Sequence, residues 1–596
     1  VCLATGAAVL IVLAGTGGCA TPLHPDSEPE LRRSILGAIK RDTEGSTVRP
    51  PGVDPSYRPT SSPERVKSLG LPPDIQQKLE QTSGMGSYKD FKPALGPTLN
   101  GEEQGVAPIS LQRVVLTTAS NNLTLEFARL VPAINQAHTI QAQSVFDWVL
   151  FASAQDQYQD NATQRTSFGT GPLLTKEEQR TGTIGLRRKL ETGGSFTIQN
   201  QLSNLNNYSP GTLPKPNPAV QPSITVQLDQ PLMRNFGTDA NLAEVRQAIN
   251  AERDSVQQLK ATLLQQIADA ETAYWTLVRA QGELNIAQRL LDRGEEVRGT
   301  LSKRREKAED VRSSQFSDAV ATVESRRSDV LRAQNTLRQA SDKLKQIMND
   351  PDLSIGSEVL LQPIDNPVSE PLALTLQDVV TTALANRPEV QRALIAINDA
   401  SIRQQLADNA RLPALDIRLQ TRVSEIGSNI SGPYSHLTDA NFIDYLVGVS
   451  YEQPIGNRNG EAGYRQRFLE SAQARTTYRD VVQRVLVDVK TGLRQVVTTY
   501  QLIEQTHASR IASAENLRTL EVEERTIQAL TPEFLDLKLR RQQALASAEA
   551  AELAAFTEYN ASIARLYAAM GTALERNRIL FAVPKATDPL PGEEQH

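Results

Sequence analysis

A chain of 596 residues with a net charge of only −6 exceeds the usual size of one compact domain, and its interspersed acids and bases argue against a nucleic-acid binder. Both cysteines, Cys2 and Cys19, fall in the first twenty residues, which excludes a disulfide framework or a cysteine metal site in the remainder. The five histidines (His24, His138, His436, His507 and His596) are scattered, and HExxH, GxSxG and phosphate-loop motifs are missing. An enzyme is therefore the least supported class, with no catalytic residue, metal or bound cofactor expected.

An apolar run, Leu3 to Ala14, is too short to span a bilayer as a helix and suits the core of a signal peptide over 1–18. It ends in Gly17-Gly18-Cys19-Ala20, small residues before a cysteine, as at a lipoprotein cleavage site. Cys19 is the predicted attachment point of a diacylglycerol and an acyl chain. Ala20 after the cysteine fits sorting to the outer membrane, by likeness to lipoproteins generally. The extension 19–107 is rich in Pro, Ser and Gly and reads as a tether, with short amphipathic pieces near Pro29–Lys40 and Pro73–Gln81.

An internal repeat follows. Ser110-Leu111-Gln112-Arg113-Val114-Val115 returns as Thr375-Leu376-Gln377-Asp378-Val379-Val380, with Ser110 and Thr375 as helix caps. The first copy covers 108–349, with strands expected at about 183–203 and 222–232 and a helical hairpin at 240–348. A linker at 350–371 leads to the second copy at 372–581, with strands at about 413–424 and 442–454 and a hairpin at 461–574. A tail covers 582–596. In the strands Leu415, Ile417, Leu419 and Val423 alternate with Asp416, Arg418, Gln420 and Arg422, and Ile443, Tyr445, Val447, Val449 and Tyr451 alternate with Asp444 and Glu452. The polar set Asp416, Arg418, Arg422, Asp444 and Glu452 is the candidate lumen lining.

Each copy leaves its sheet alike. The exits are Gln230-Pro231 with Gly237, and Gln453-Pro454 with Gly456, where proline stops the ladder and glycine allows the bend. From Asn241 to Lys307 apolar residues recur at gaps of three and four, among them Leu259, Leu263, Ile267, Tyr274 and Leu277. At about 1.5 Å per residue this is a rod of about 100 Å, a coiled-coil element that needs partners. A second rod runs from Glu461 to Leu530, through Tyr478, Val482, Val485, Val489 and Val496. The rods reverse near Ala308–Arg312 and at Leu530-Thr531-Pro532-Glu533. Acids cluster there: Glu309 and Asp310 on one hairpin, Glu521, Glu523, Glu524, Glu533 and Asp536 on the other. Four strands are too few to enclose a lumen, so further copies of the chain are expected to complete the sheet, two giving eight strands and three giving twelve.

The paired repeats, the two Gln-Pro exits, and Tyr559-Asn560-Ala561 followed by Gly571-Thr572 resemble the TolC-type outer-membrane efflux family, over roughly Ile109 to Phe581. Members often carry Asp-Ala-Gln after the second reversal, where this chain has Asp536-Leu537-Lys538. The resemblance implies a mainly α fold with membrane β: a homotrimer whose helical hairpins form an α-barrel tunnel, with a 12-stranded β-barrel of four strands per protomer. It also implies a passive exit duct for efflux or type I secretion, lodged in the outer membrane among its lipids and extending into the periplasm. A periplasmic adaptor would dock on the tips Glu309, Asp310, Leu530, Thr531, Pro532, Glu533 and Asp536, served by an inner-membrane transporter of RND, ABC or MFS type. The alternative is a lipid-anchored periplasmic coiled-coil tether with a structural role. A diffusion porin would be nearly all strand.

Overall fold

A computed structural model describes residues 69–88, 94–99, 101, 103–163, 173–209, 215–306, 312–527, 531–580 and 583. The chain falls into two compact units, each made from non-contiguous stretches.

The first unit comprises Val1–Arg129, Gln257–Gln391 and Asp480–Ala582. In chain order it contains helix α1 (Pro73–Thr82), strand β1 (Val106–Ile109), α2 (Leu111–Asn121) and the start of α3 (Leu123–Gln143). Strands β2 (Val149–Thr163), β3 (Leu173–Lys189), β4 (Ser195–Asn207) and β5 (Ala219–Pro231) belong to the second unit. The first resumes with most of α4 (Ala243–Glu306), then α5 (Ser313–Met348), β6 (Leu360–Pro363), α6 (Leu376–Asn386) and the start of α7 (Pro388–Asn409). After β7 (Ala414–Ser424) and β8 (Ile443–Glu452), also of the second unit, come α8 (Arg458–Ile527) and α9 (Pro532–Met570), which complete it.

Heptad spacing sets the packing here. Leu277 and Leu284 of α4 meet Val323, Val330, Leu337 and Leu344 of α5 in one buried cluster with Tyr274. Helix α9 joins the same bundle: Leu553 packs with Ile286 and Leu290 of α4, and Leu545 with Ile511 and Leu517 of α8. The hydroxyls of Ser110 and Thr375 cap α2 and α6 by accepting from the Arg113 and Asp378 amides at 3.3 and 3.2 Å. The stretch after β6 is pinned by polar side chains. Asp365 accepts from Tyr274 Oη at 2.8 Å, Tyr559 Oη donates to Glu370 O at 2.7 Å, and Asn560 bonds Val368 through both its side-chain O and N. β1 and β6 form a two-stranded parallel sheet, which ties the junction of the extension and the first repeat to the linker.

The second unit comprises Leu130–Val256, Arg392–Arg479 and Val583–His596 and holds a six-stranded antiparallel sheet in the order β2-β3-β4-β5-β7-β8. The pairing of β5 with β7, from Ser223 opposite Ser424 to Pro231 opposite Asp416, joins the strands of the two repeats. The helices of this unit are locked by Arg392 to Asp254 at 2.8 Å and by Asn250 to Asp399 at 2.7 Å.

The sheet overturns the expected fold class. Among the described residues six strands form one sheet where four were expected, and that sheet is open, with β2 and β8 at its edges. The protein is mostly α with a small parallel and a larger antiparallel sheet, and neither closes. A 12-stranded barrel with four strands per protomer does not describe this chain. Two features misled the sequence reading. Thr192-Gly193-Gly194, inside the single strand expected at about 183–203, is the reversal between β3 and β4, closed by Leu190 N to Gly194 O at 2.7 Å and Gly193 N to Leu190 O at 2.9 Å. β2 went unread because its second half, Gln155-Asp156-Gln157-Tyr158-Gln159-Asp160-Asn161, is almost wholly polar and shows no alternation.

Gly193 has φ +94°, and a Cβ there would stand 2.2 Å from Asn235 O. Gly193→Ala is expected to cost about 2 kcal/mol or more through strain and collision. Hydrogen exchange across β3 and β4 should show protection lost there first, with α4 unaffected.

Candidate interaction surfaces

The register of the sheet sorts its side chains onto two faces. On one face Arg418 sits opposite Asp229 and Gly448, Arg422 opposite Thr225 and Asp444, and Asp416 opposite Pro231 and Ser450. Glu452, eight residues after Asp444 on β8, shares that face by the two-residue period. All five candidate lining residues are therefore brought together. Arg418 Nε lies 2.5 Å from Asp229 Oδ1, and Arg187 and Lys189 of β3 line the same groove, a cavity of about 890 Å³. Asp229 was missed by the sequence reading. Its signal was the alternation of Ile224, Val226 and Leu228 with polar neighbours.

The opposite face is apolar. Across the sheet it reads Leu150, Leu186, Ile198, Val226, Thr421 and Tyr445, and one row on Arg188, Phe196, Leu228, Leu419 and Val447, so that Thr421 and Arg188 are its polar members. Leu150, Tyr445, Val447 and Val449 are 69%, 73%, 73% and 68% exposed. A contiguous apolar face of this kind marks an interaction surface.

The exits are tied down by hydrogen bonds. Gln230 accepts from Thr192 Oγ1 at 2.9 Å and donates to Thr192 O at 3.1 Å, fastening the β3–β4 reversal to the end of β5. Tyr451 Oη donates to Gln453. Pro231 ends the β5 ladder, and Pro454 follows β8. Gly237 and Gly456 take φ of +93° and +83°. The flanking asparagines act in parallel: Asn235 N donates to Asn409 at 2.7 Å, and Asn457 Nδ2 to Arg411 O at 2.8 Å.

At the hairpin ends, Glu309, Asp310 and Leu530 lie outside the described residues, as does Cys19. Thr531 caps α9 by accepting from the Phe534 amide at 3.2 Å, and Pro532 is its first residue. Glu533 and Asp536 are exposed, with Asp536 held by Arg540 at 2.9 Å. Glu524 of α8 pairs with Lys538 of α9 at 2.7 Å. Glu521 is half-buried and Glu523 exposed.

A further contact escaped the sequence reading: α1 and the turn after it are clamped onto α8, α9 and α4. Leu79, Leu71 and Ile75 pack on Ile511, Ala514, Leu517 and Leu545. Beside them, Arg510 Nη2 donates to Glu80 at 2.6 Å, its Nη1 donates to Ser83 Oγ at 2.6 Å, and its Nε lies 2.7 Å from Glu552. His507 bridges Glu552 at 2.7 Å and Glu80 at 3.1 Å. Glu549 accepts from Gly84 N at 3.2 Å and Tyr88 Oη at 2.6 Å, and Arg289 lies over the Tyr88 ring at 3.9 Å. Only glycine fits at position 84, where φ is +81° and a Cβ would meet the Arg510 guanidinium at 2.9 Å. The amphipathic helix was legible, but Arg510 and Glu549, which receive it and the turn after it, lie 430 and 465 residues from their partners Glu80 and Gly84. Among the described residues, no group of three His, Cys, Asp or Glu side chains could hold a metal ion, and no helix is long and apolar enough to cross a membrane.

No family model matches the sequence, and no curated protein does. Solved structures do match. The CmeC outer membrane channel of Campylobacter jejuni is 16% identical, with a TM-score of 0.58 over 81% of this chain and 92% of that one. The MtrE outer membrane channel of Neisseria gonorrhoeae, in its open state, is 20% identical, with a TM-score of 0.54 over 78% and 89%. The outer membrane protein VceC of Vibrio cholerae is 14% identical, with a TM-score of 0.55 over 77% and 96%. The chain has the fold of the TolC-type outer-membrane channel proteins. The expected channel-tunnel, its outer-membrane placement and its transmembrane β-strands rested on a closed barrel. The open six-stranded sheet encloses no lumen, so that reading gives way to one built on the helical hairpins.

Protonation should govern the clamp. Hydrogen bonds to Glu552 and Glu80 raise His507 from 6.5 to about 9 against the effect of burial. Burial opposes ionisation of Glu80, yet the His507 hydrogen bond and the Arg510 charge outweigh it and hold Glu80 at about 2. The His507 contribution, about 3 kcal/mol, is full below pH 6.5 and lost as pH rises through about 9; the Glu80 contribution is present above pH 4.5 and lost as pH falls towards 2. Limited proteolysis at residues 69–88 should accelerate at both extremes, and His507→Gln should remove the alkaline limb and move the acid limb to higher pH, because Glu80 loses its His507 hydrogen bond.

Proposed function

We propose that the protein is a lipid-anchored coiled-coil tether, a structural member of a transport-related assembly of the cell envelope. The observation that carries this reading is the pair of helical hairpins: α4 with α5 and α8 with α9 bury heptad stripes against one another. Lipid on Cys19 would anchor one end of the chain. The hairpin ends, with Glu309, Asp310, Leu530, Thr531, Pro532, Glu533 and Asp536, would receive a periplasmic adaptor, itself joined to an inner-membrane transporter. The exposed apolar sheet face, with open edges at β2 and β8, suits further copies of this chain. The exits at Gln230, Pro231, Gly237, Gln453, Pro454 and Gly456 would serve as fixed joints, and Asp416, Arg418, Arg422, Asp444 and Glu452 as a solvated polar surface.

Cys19→Ala is expected to move most of the protein from the membrane pellet to the soluble fraction; unchanged pelleting would refute the anchor. A tether should give no conductance when purified and added to a planar bilayer, and discrete single-channel steps would overturn it. Reversing charge at Glu309 and Asp310 together should reduce adaptor crosslinking about tenfold while leaving circular dichroism unchanged.

A further inference from the structure

Where α5 and α9 begin, their first turns border a cleft of about 330 Å³, lined by Gln315, Asp318 and Thr322 of α5 and Leu535, Asp536 and Arg540 of α9, with Arg326 among its walls. Arg326 is only 4% exposed. Its Nη1 donates to Leu290 O at 2.8 Å and to Gln542 Oε1 at 3.1 Å, while its enclosed Nε makes no hydrogen bond. Both acceptors are neutral. Gly294 makes the approach to α4 possible, since a Cβ there would stand 2.8 Å from Nη1.

A buried guanidinium with no counter-charge among the described residues is costly, and side chains are not kept this way without compensation. The other charges of the cleft do not supply it. Asp536 is taken by Arg540 at 2.9 Å, and Asp318 is exposed at the rim eight residues before Arg326 on the same helix. We propose that this cleft is a binding site for a carboxylate group, held by the Arg326 guanidinium that lines it. Burial, with Arg293 nearby, pushes Arg326 down to about 10, the direction expected of a cation without an anion beside it. Arginine suits the role because its planar fork takes a carboxylate through two donors, which lysine cannot do.

The carboxylate has two sources, a free small acid or an acidic side chain of a protein bound at this end. The test is thermal unfolding of the full-length protein at constant ionic strength, with chloride replaced by sodium acetate or with added hexaglutamate peptide. Either probe should raise the wild-type midpoint, should have no effect on Arg326→Met, and should bind Arg326→Lys about tenfold more weakly. Activity of acetate assigns the site to free carboxylates, and activity of the peptide alone assigns it to an acidic protein segment; both uphold the site. No shift with either probe, or equal shifts in wild type and Arg326→Met, would overturn it. In chloride alone Arg326→Met should unfold at the wild-type temperature or higher; a large drop would make Arg326 a structural brace and also overturn the site. Should Arg326→Met not fold, the tenfold loss in Arg326→Lys decides. Conductance or pelleting results bear on the tether and leave this site untouched.

Discussion

A helix as long as α4 or α8 cannot keep a continuous apolar stripe in water. Covering that stripe is the constraint on which the rest of the first unit depends. On α5 alone, Val323, Val330, Leu337, Leu344 and Met348 are buried, together worth roughly 10 kcal/mol of gross transfer free energy. The many exposed ion pairs along the same helices contribute about 0.2–1 kcal/mol each. Apolar burial therefore decides that the helices pair. The charges decide where polar side chains stand once they have paired.

The second unit solves a different problem. Its sheet joins strands of both repeats through β5 and β7, so neither repeat forms its sheet alone. Period two then separates an arginine- and aspartate-bearing face from an apolar one. Among the described residues the edges at β2 and β8 stay unpaired, and the apolar face stays exposed. Both are unfinished surfaces of the kind that association completes.

Between a channel and a tether, the fold likeness and the chain's own geometry pull in different directions. CmeC and MtrE are outer membrane channels and VceC is an outer membrane protein, but at 14–20% identity the likeness speaks for the fold. The chain itself supplies paired helices and an open sheet. The clamp of α1 on α8 and α9 adds to the structural reading. It buries Arg510, Glu549 and Glu552 against a segment far away in sequence, and such a network is worth its desolvation only when complete.

Periodicity alone located the stripes, because 3.6-residue and two-residue spacings follow from backbone geometry and survive without any knowledge of neighbours. The caps at Ser110, Thr375 and Thr531 were legible for the same reason: a cap is a contact within four residues. The pinning roles of Tyr559 and Asn560 were visible only as a motif, since their partners Glu370 and Val368 lie nearly 200 residues away. What the tertiary structure alone decided was the strand count, the pairing of β5 with β7, the clamp around Arg510 and the isolation of Arg326. A polar strand such as β2 has no one-sided pattern to betray it, and a Gly-Gly pair marks a bend and a reversal alike. Whether a buried charge finds its partner depends on which helices meet, and no local spacing records that.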